Sequence, residues 1–225
     1  MKFVKSPNFS IRNQAINSIV LHYTQVNLNE TLKIFLDSKS ELSSHYIVTE
    51  EGEVIQMVKD GDVAWHAGLS SWRGKEQLNQ SSIGIEIVNN GESLYPDIQI
   101  KALICLLDEL REKFDIDNIN IVGHSDIAPL RKTDPGKLFP WRFLASNNHG
   151  IYITYDELQN SDLVPKETDL KNALCKLGYS HNYCINSYDL KNVRSAFLSH
   201  FANDFKFTLS ELEIIKLINV ILAKI

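Results

Sequence analysis

Two histidines and one aspartate have the residue types and positions of a metal site. His22 ends an apolar, strand-like run, His124 follows a second such run, and Asp134 comes ten residues later in a loop punctuated by Pro135 and Gly136. Taken singly, each fits a hydrogen-bonded strand end or a turn, because Asp before Pro often starts a turn. Together they supply three protein ligands and leave a fourth tetrahedral position open, which is typical of catalytic rather than structural zinc sites.

Two further charged residues lie in the same stretches of sequence. In the strand-like run 83–88, alternation puts three isoleucines on one face and turns Glu86 toward the other. Lys132 precedes Asp134 by two residues, so both side chains point to the same side of an extended loop. A carboxylate and an ammonium group beside a metal are the groups that proton transfer and stabilisation of an oxyanion require.

Strands and helices alternate through the region that carries these residues. The strand-like runs are rich in β-branched residues and cover 16–23, 45–49, 53–58, 83–88 and 119–122. Gly52 fits the tight turn of a hairpin between the second and third runs. One helix is predicted from Glu30, capped by Asn29, and a longer one over 100–114. The pattern predicts an α/β domain over residues 1–145.

Periodicity fades after this domain and returns in a helical tail. Residues 146–167 contain turn-forming residues and are interpreted as a linker. Residues 168–225 hold three amphipathic segments. Thr168 caps the first, Ser187 starts the second, and a capping box beginning at Thr208 precedes the third. The sequence therefore predicts a small three-helix domain after the α/β domain.

The composition is that of an ordinary globular protein, with 44% hydrophobic and 23% charged residues among 225. The 23 basic and 28 acidic residues leave a net charge of −5, which does not favour binding to nucleic acid. Three cysteines are too few for a disulfide framework, and no apolar run reaches the ~20 residues of a membrane span. Residues 1–10 lack the apolar segment of a signal peptide. We therefore expect no nucleic-acid partner and no transmembrane segment.

Seven segments follow one another in the order found in a known family. They are VLHYT (20–24), SSHYIV (43–48), AWHAG (64–68), SWRG (71–74), SIGIEIVN (82–89), VGHSDIAPLRKTDPG (122–136) and LFPW (138–141). On these segments the sequence resembles the zinc-dependent N-acetylmuramoyl-L-alanine amidases of the amidase-2 family, whose fold is shared with peptidoglycan recognition proteins and phage T7 lysozyme. The tail, with LCKLGY (174–179) and VRSAFLSHF (193–201), resembles the peptidoglycan-binding domain of the AmiD type within this family. The resemblance implies a central mixed β-sheet flanked by helices, followed by a small three-helix domain.

The resemblance also implies a role for each residue of the candidate site. His22, His124 and Asp134 correspond to the family's ligands for one Zn²⁺ per chain. Glu86 corresponds to the residue that handles the proton of the attacking water. Lys132 corresponds to the cation beside the scissile carbonyl.

Three more residues in the matching segments are candidates for substrate binding: Trp65, His66 and Arg73. For Trp65, packing in the core is an equal alternative. For Arg73, an ion pair with a surface acid is the alternative to contact with a substrate carboxylate. The tail is open to two interpretations as well, because Leu198 stands where a glutamine is usual: it binds peptidoglycan or it packs against the catalytic domain.

The implied reaction is hydrolysis of the amide between N-acetylmuramic acid, or its 1,6-anhydro form, and L-alanine of the peptidoglycan stem peptide. The alternative function is a non-catalytic peptidoglycan receptor on the same fold. Receptors of that kind lose a zinc ligand, whereas all three ligand positions are filled here. The family favours the bacterial cell envelope or periplasm as the location, and the sequence without a signal peptide keeps a cytoplasmic location as the alternative.

Overall fold

The computed structural model describes residues 1–165, 169–205 and 208–225 of the chain. Its strands are Lys2–Phe3 (β1), Phe9–Ile11 (β2), Ser18–Tyr23 (β3), Tyr46–Val48 (β4), Val54–Gln56 (β5), Asp62–Ala64 (β6), Ser71–Trp72 (β7), Lys75–Glu76 (β8), Ser82–Ile87 (β9) and Ile121–Gly123 (β10). Its α-helices are Leu28–Leu36 (α1), Asp97–Phe114 (α2), His124–Ile127 (α3), Trp141–Ser146 (α4), Tyr155–Gln159 (α5), Leu170–Leu177 (α6), Ser187–Phe201 (α7) and Glu211–Leu222 (α8). None of the described helices is long and apolar enough to cross a bilayer.

A six-stranded mixed sheet forms the centre of the fold, in the order β1-β5-β4-β9-β3-β10. Strands β4 and β5 pair antiparallel, as the hairpin turn at Gly52 requires, and the other neighbours in this sheet pair parallel. Gly52 has φ +80°, a conformation that favours glycine. The predicted α/β class with a central mixed sheet and flanking helices is confirmed.

The two faces of the central sheet have different roles. Side chains alternate along β3 and β9, so Ile83, Ile85 and Ile87 are fully buried on one face, in a core shared with α2. The opposite face of the same strands carries His22 and Glu86, which are register neighbours across β3 and β9. One face therefore stabilises the sheet while the other presents polar groups near the strand ends.

Helix caps differ in detail from the sequence-based predictions. The predicted cap at Asn29 is wrong: Asn27 caps α1, because its side chain accepts the N–H of Glu30 at 3.0 Å. The third tail helix has its capping box at Ser210 and Glu213 rather than at Thr208. The predicted cap at Thr168 lies outside the described residues.

The tail and the α/β region share one hydrophobic core. Buried residues of α6, α7 and α8 cluster with Val20, Trp72, Ile119 and Val122 from the α/β region. The segment predicted as a linker contributes Ile153, which is fully buried in this core, and contains α5. The predicted boundaries at 146 and 168 thus cross one continuous apolar cluster. The division of the chain into separate domains stays a prediction.

Candidate functional site

Three buried side chains meet where parallel strands end. His22 lies near the end of β3, and His124 follows β10 directly, so the sheet brings their rings together. Their Nδ1 atoms are 3.0 Å apart, and Asp134 Oδ2 lies 3.0 Å from the first and 3.1 Å from the second. Each residue is less than a tenth exposed. The predicted trio therefore forms a group with the ligand types of a metal site.

The loop that carries Asp134 is held against the start of α3. The N–H of Ser125 donates to the carbonyl of Asp134 at 2.9 Å. A Cβ at Gly123 would lie 2.6 Å from Cδ of Pro135, so the close approach of this loop requires glycine there. The glycine of the sequence motif thus allows the third side chain to reach the two imidazoles.

A chain of hydrogen bonds fixes which nitrogen of His22 carries a proton. The Ser82 hydroxyl donates to the carbonyl of Leu78 at 2.6 Å, so its oxygen accepts from Nε2 of His66 at 3.1 Å. His66 Nδ1 is then an acceptor, and His22 Nε2–H donates to it at 3.0 Å. The lone pair of His22 Nδ1 is consequently left to face Asp134.

A backbone carbonyl fixes the same tautomer, with the proton on Nε2, in His124. Its Nε2–H donates to the carbonyl of Ala67 at 3.1 Å, which leaves the Nδ1 lone pair toward Asp134. Arg131 holds this carbonyl in place, because its Nη2 donates to Ala67 at 2.5 Å and to Leu69 at 2.7 Å. Both imidazoles are therefore oriented by partners behind them, as metal-ligating histidines are.

Three acceptor atoms that converge on one point are suited to binding a cation. At tetrahedral angles and bond lengths of about 2.0–2.1 Å, ligand atoms of zinc lie about 3.3 Å apart. The separations of 3.0–3.1 Å between the two Nδ1 atoms and Oδ2 come close to that value. Two imidazoles and one carboxylate that line a cleft therefore have the donor set that suits a catalytic zinc ion.

Protonation states suit such an ion near neutral pH. Burial, with His124 nearby, lowers the pKa of His22 to about 4, so the ring is neutral at pH 7. The metal-binding form of His22 is therefore already present at neutral pH.

Glu86 and Lys132 line the same cleft as the trio, a space of about 410 Å³. Oε2 of Glu86 is buried and has no hydrogen-bond partner among the described residues. Burial raises the pKa of Glu86 well above its usual value, Asp134 adds to this, and Lys132 opposes it. A carboxyl group with a raised pKa beside a metal site is suited to both accepting and donating a proton.

The predicted substrate-binding residues lie in three different environments. Trp65 lines the cleft and is half-buried, with Nε1 donating to Ser10 Oγ at 3.3 Å. His66 also lines the cleft, yet both of its ring nitrogens are engaged by His22 and Ser82. Arg73 is not brought to this cleft: its Nη1 donates to the carbonyl of Leu177 at the end of α6.

Sequence reasoning did not identify the groups that orient the imidazoles. Ser82 begins β9 and Arg131 lies in a charged loop, and neither position has a spacing that indicates contact with a histidine. The sequence predicts that His66 binds substrate, whereas its ring contacts place it behind His22. A larger groove of about 520 Å³, between β5 and α2, contains none of the candidate residues.

Comparison with known proteins gives the same family on independent grounds. The Amidase_2 family, described as N-acetylmuramoyl-L-alanine amidase, matches residues 12–137. The chain is 33% identical over 208 residues to the N-acetylmuramoyl-L-alanine amidase AmiD of Escherichia coli, covering 83% of this chain and 75% of that protein. It is also 43% identical over 100 residues to the 1,6-anhydro-N-acetylmuramyl-L-alanine amidase AmpD of Enterobacter cloacae, covering 44% of this chain and 54% of that protein.

A solved structure extends the similarity to the helical tail. Escherichia coli AmiD, in complex with the substrate anhydro-N-acetylmuramic acid-L-Ala-D-gamma-Glu-L-Lys, superimposes with a TM-score of 0.82 at 30% identity. The match covers 96% of this chain and 98% of that one, so it includes the tail as well as the sheet. With the family match and the relatives taken together, the chain belongs to the Amidase_2 family of N-acetylmuramoyl-L-alanine amidases.

Proposed function

We propose that the chain binds one Zn²⁺ through His22, His124 and Asp134 and uses it to hydrolyse the amide between N-acetylmuramic acid and L-alanine. One observation carries the metal assignment: two imidazole lone pairs and a carboxylate oxygen converge within 3.0–3.1 Å of one another. Such a cluster of acceptors is stable when a cation lies among them.

The residues around the trio account for the remaining chemistry. When bound, zinc supplies Lewis acidity toward the amide carbonyl and the attacking water. Glu86 takes a proton from that water and delivers it to the leaving amine, for which its raised pKa is suited. Lys132, on the wall of the same cleft, stabilises the negative charge that develops on the carbonyl oxygen.

The substrate assignment rests on the relatives and on the cleft. The solved AmiD complex contains an anhydro-N-acetylmuramic acid peptide, and the AmpD relatives are named for the same anhydro sugar. We propose that a muropeptide occupies the 410 Å³ cleft here, with Trp65 contacting it and His66 shaping the floor behind His22. Arg73 is not part of the proposed substrate site, because its side chain donates to the end of α6 instead.

The proposed place of action is the bacterial cell envelope, where peptidoglycan lies. A cytoplasmic location is the alternative, and it implies soluble anhydro-muropeptides as the substrate. Rates on the two substrates therefore bear on location as well as on specificity.

The test is incubation of the zinc-loaded chain with an anhydro-N-acetylmuramyl tripeptide and, separately, with intact sacculi, followed by mass spectrometry of the products. We expect the free sugar acid and a peptide with an L-alanine amino terminus. Binding of the tripeptide without cleavage would support the receptor alternative and overturn the enzyme assignment. Cleavage at a different bond would overturn the substrate assignment alone.

A further inference from the structure

A second buried carboxylate, Asp126, lies next to the candidate site and takes no part in the proposed chemistry. It is fully buried, two residues after His124 within α3. Burying a charge without partners is strongly unfavourable, so the hydrogen bonds of Asp126 are informative. Its Oδ2 accepts from the N–H of Gly123 at 2.7 Å and from Nδ1 of His200 at 2.7 Å, and its Oδ1 accepts from the hydroxyl of Tyr179 at 2.9 Å.

Two of these three donors come from the tail. Tyr179 follows the end of α6, and His200 lies in the last turn of α7. Both are almost fully buried. Tyr179 packs edge-on against Trp72 at 5.2 Å, and His200 stacks on Trp141 at 3.6 Å, so each donor is held by an aromatic residue of the preceding region. The tail thus reaches to within two residues of a candidate metal ligand.

Asp126 in turn holds the segment that carries the ligands. Its bond to the N–H of Gly123 closes the turn immediately before His124. Within the same turn, Ser125 donates to the carbonyl of Asp134. Two of the three candidate ligands therefore depend on the turn that Asp126 fixes.

The Tyr179 hydroxyl is a permanent donor at physiological pH. Burial, followed by the neighbouring charge of Asp126, raises the pKa of Tyr179 well above its usual value. Replacing this tyrosine by phenylalanine would leave Oδ1 buried without its donor, which is more costly than losing a hydrogen bond at the surface.

We infer that Tyr179 and His200 are positioning residues through which the tail holds Asp126, and thereby His124, in metal-binding geometry. The inference rests on the proposed zinc site. It gives the tail a function within the catalytic unit, whether or not the tail also contacts the cell wall. A tail that only stabilised the fold would affect melting temperature without a specific effect on the metal.

Tyr179→Phe is the principal variant, and Tyr183→Phe is its matched control. Tyr183 also lies in the tail and donates to α3, but to the carbonyl of Ile127 at 2.9 Å rather than to Asp126. For both variants and the wild type we would measure the Zn²⁺ dissociation constant by competition with a chelating dye, kcat and KM on the anhydro-muropeptide, and melting temperature.

We expect Tyr179→Phe to weaken Zn²⁺ binding by about 10- to 100-fold, as loss of supporting groups around a metal site does. At saturating zinc its kcat falls while KM changes little. Tyr183→Phe keeps the wild-type affinity for Zn²⁺ even if it melts earlier. Wild-type affinity in Tyr179→Phe, or an equal loss in both variants, would overturn the inference.

Variants of His200 provide a second test if Tyr179→Phe does not fold. Asparagine at 200 places an N–H donor near the position of Nδ1, so His200→Asn should retain tighter Zn²⁺ binding than His200→Ala. Equal affinity in the two would contradict the positioning role. A wild-type chain that binds no zinc would instead overturn the proposed function, so the two failures are distinguishable.

Discussion

Two buried aspartates, eight residues apart in the sequence, face histidines in different ways. Asp134 lies 3.0–3.1 Å from the Nδ1 atoms of His22 and His124, and Asp126 lies 2.7 Å from Nδ1 of His200. Each carboxylate is thus paired with imidazole at hydrogen-bonding distance. The distances alone do not distinguish a metal site from a structural contact.

The hydrogen bonds made by the other ring nitrogens, and the donors around each carboxylate, distinguish the two sites. His22 and His124 each donate their far N–H to an acceptor, so both present a lone pair toward Asp134. Around Asp126 the arrangement is the reverse, since a backbone N–H, a hydroxyl and an imidazole all donate to it. A carboxylate surrounded by donors is satisfied by the protein itself, whereas one facing lone pairs fits the proposed metal site.

Removal of one ring from the Asp134 cluster should have the largest effect. We expect His124→Ala to lose zinc and to reduce kcat/KM by about 1,000-fold or more, because several kcal/mol of transition-state stabilisation are lost with the metal. Zinc content and initial rates measure this. His181→Ala, at an exposed histidine outside both clusters, is the control and should keep both properties. Full zinc content in His124→Ala would remove this residue from the ligand set.

A smaller effect is expected when the metal stays but its neighbours change. Glu86→Gln and Lys132→Met should each lower kcat by about 100-fold or more, since proton transfer and oxyanion stabilisation are lost separately. Both variants should retain one zinc per chain, because neither side chain belongs to the trio. A near-native kcat in either variant, with zinc bound, would contradict the role proposed for the replaced residue.

The smallest effect concerns stability at acidic pH rather than rate. Burial, with the charge of Arg12 adding to it, lowers the pKa of His45 to about 3, whereas an unfolded histidine titrates near 6.5. As the pH falls from 6.5 toward 3, the unfolded chain gains a proton at residue 45 that the folded chain does not, so the free energy of unfolding decreases. One such proton contributes about 1.4 kcal/mol per pH unit.

His45→Asn removes this titration while offering an oxygen near the position of Nδ1, which accepts the N–H of Gly84 at 3.0 Å. Urea unfolding of the zinc-loaded wild type and variant should show that the free energy of unfolding decreases less in the variant between pH 6.5 and 4.5. Parallel curves would mean that His45 is protonated in the folded state over this range.

The sequence predicted the residues of the candidate site better than the groups that surround them, for a physical reason. His22, Glu86 and His124 lie on or directly after apolar runs, and parallel strands bring their carboxyl ends to one edge, so order along the chain predicts proximity. The contacts of Ser82 with His66, and of Tyr179 with Asp126, join residues 16 and 53 positions apart through side chains alone. No periodicity or spacing indicates such contacts.

The same limit applies to the domain division. Helical periodicity over the tail predicted α6, α7 and α8, and an amphipathic helix shows that it has an apolar face but not what that face packs against. The structure packs those faces partly on Trp72 and Val122, in one core with the sheet region. A boundary between domains is therefore harder to predict than the helices on either side of it.

The most direct test of the account is a zinc titration of the metal-free wild-type chain, with hydrolysis of the anhydro-N-acetylmuramyl tripeptide as the readout. The chain is stripped with a chelator, checked for folding by circular dichroism, and supplied with increasing Zn²⁺. We predict no cleavage without zinc and full recovery of activity at one equivalent of Zn²⁺ per chain, bound by His22, His124 and Asp134. Cleavage by the metal-free chain, or recovery that requires more than one equivalent, would contradict the account.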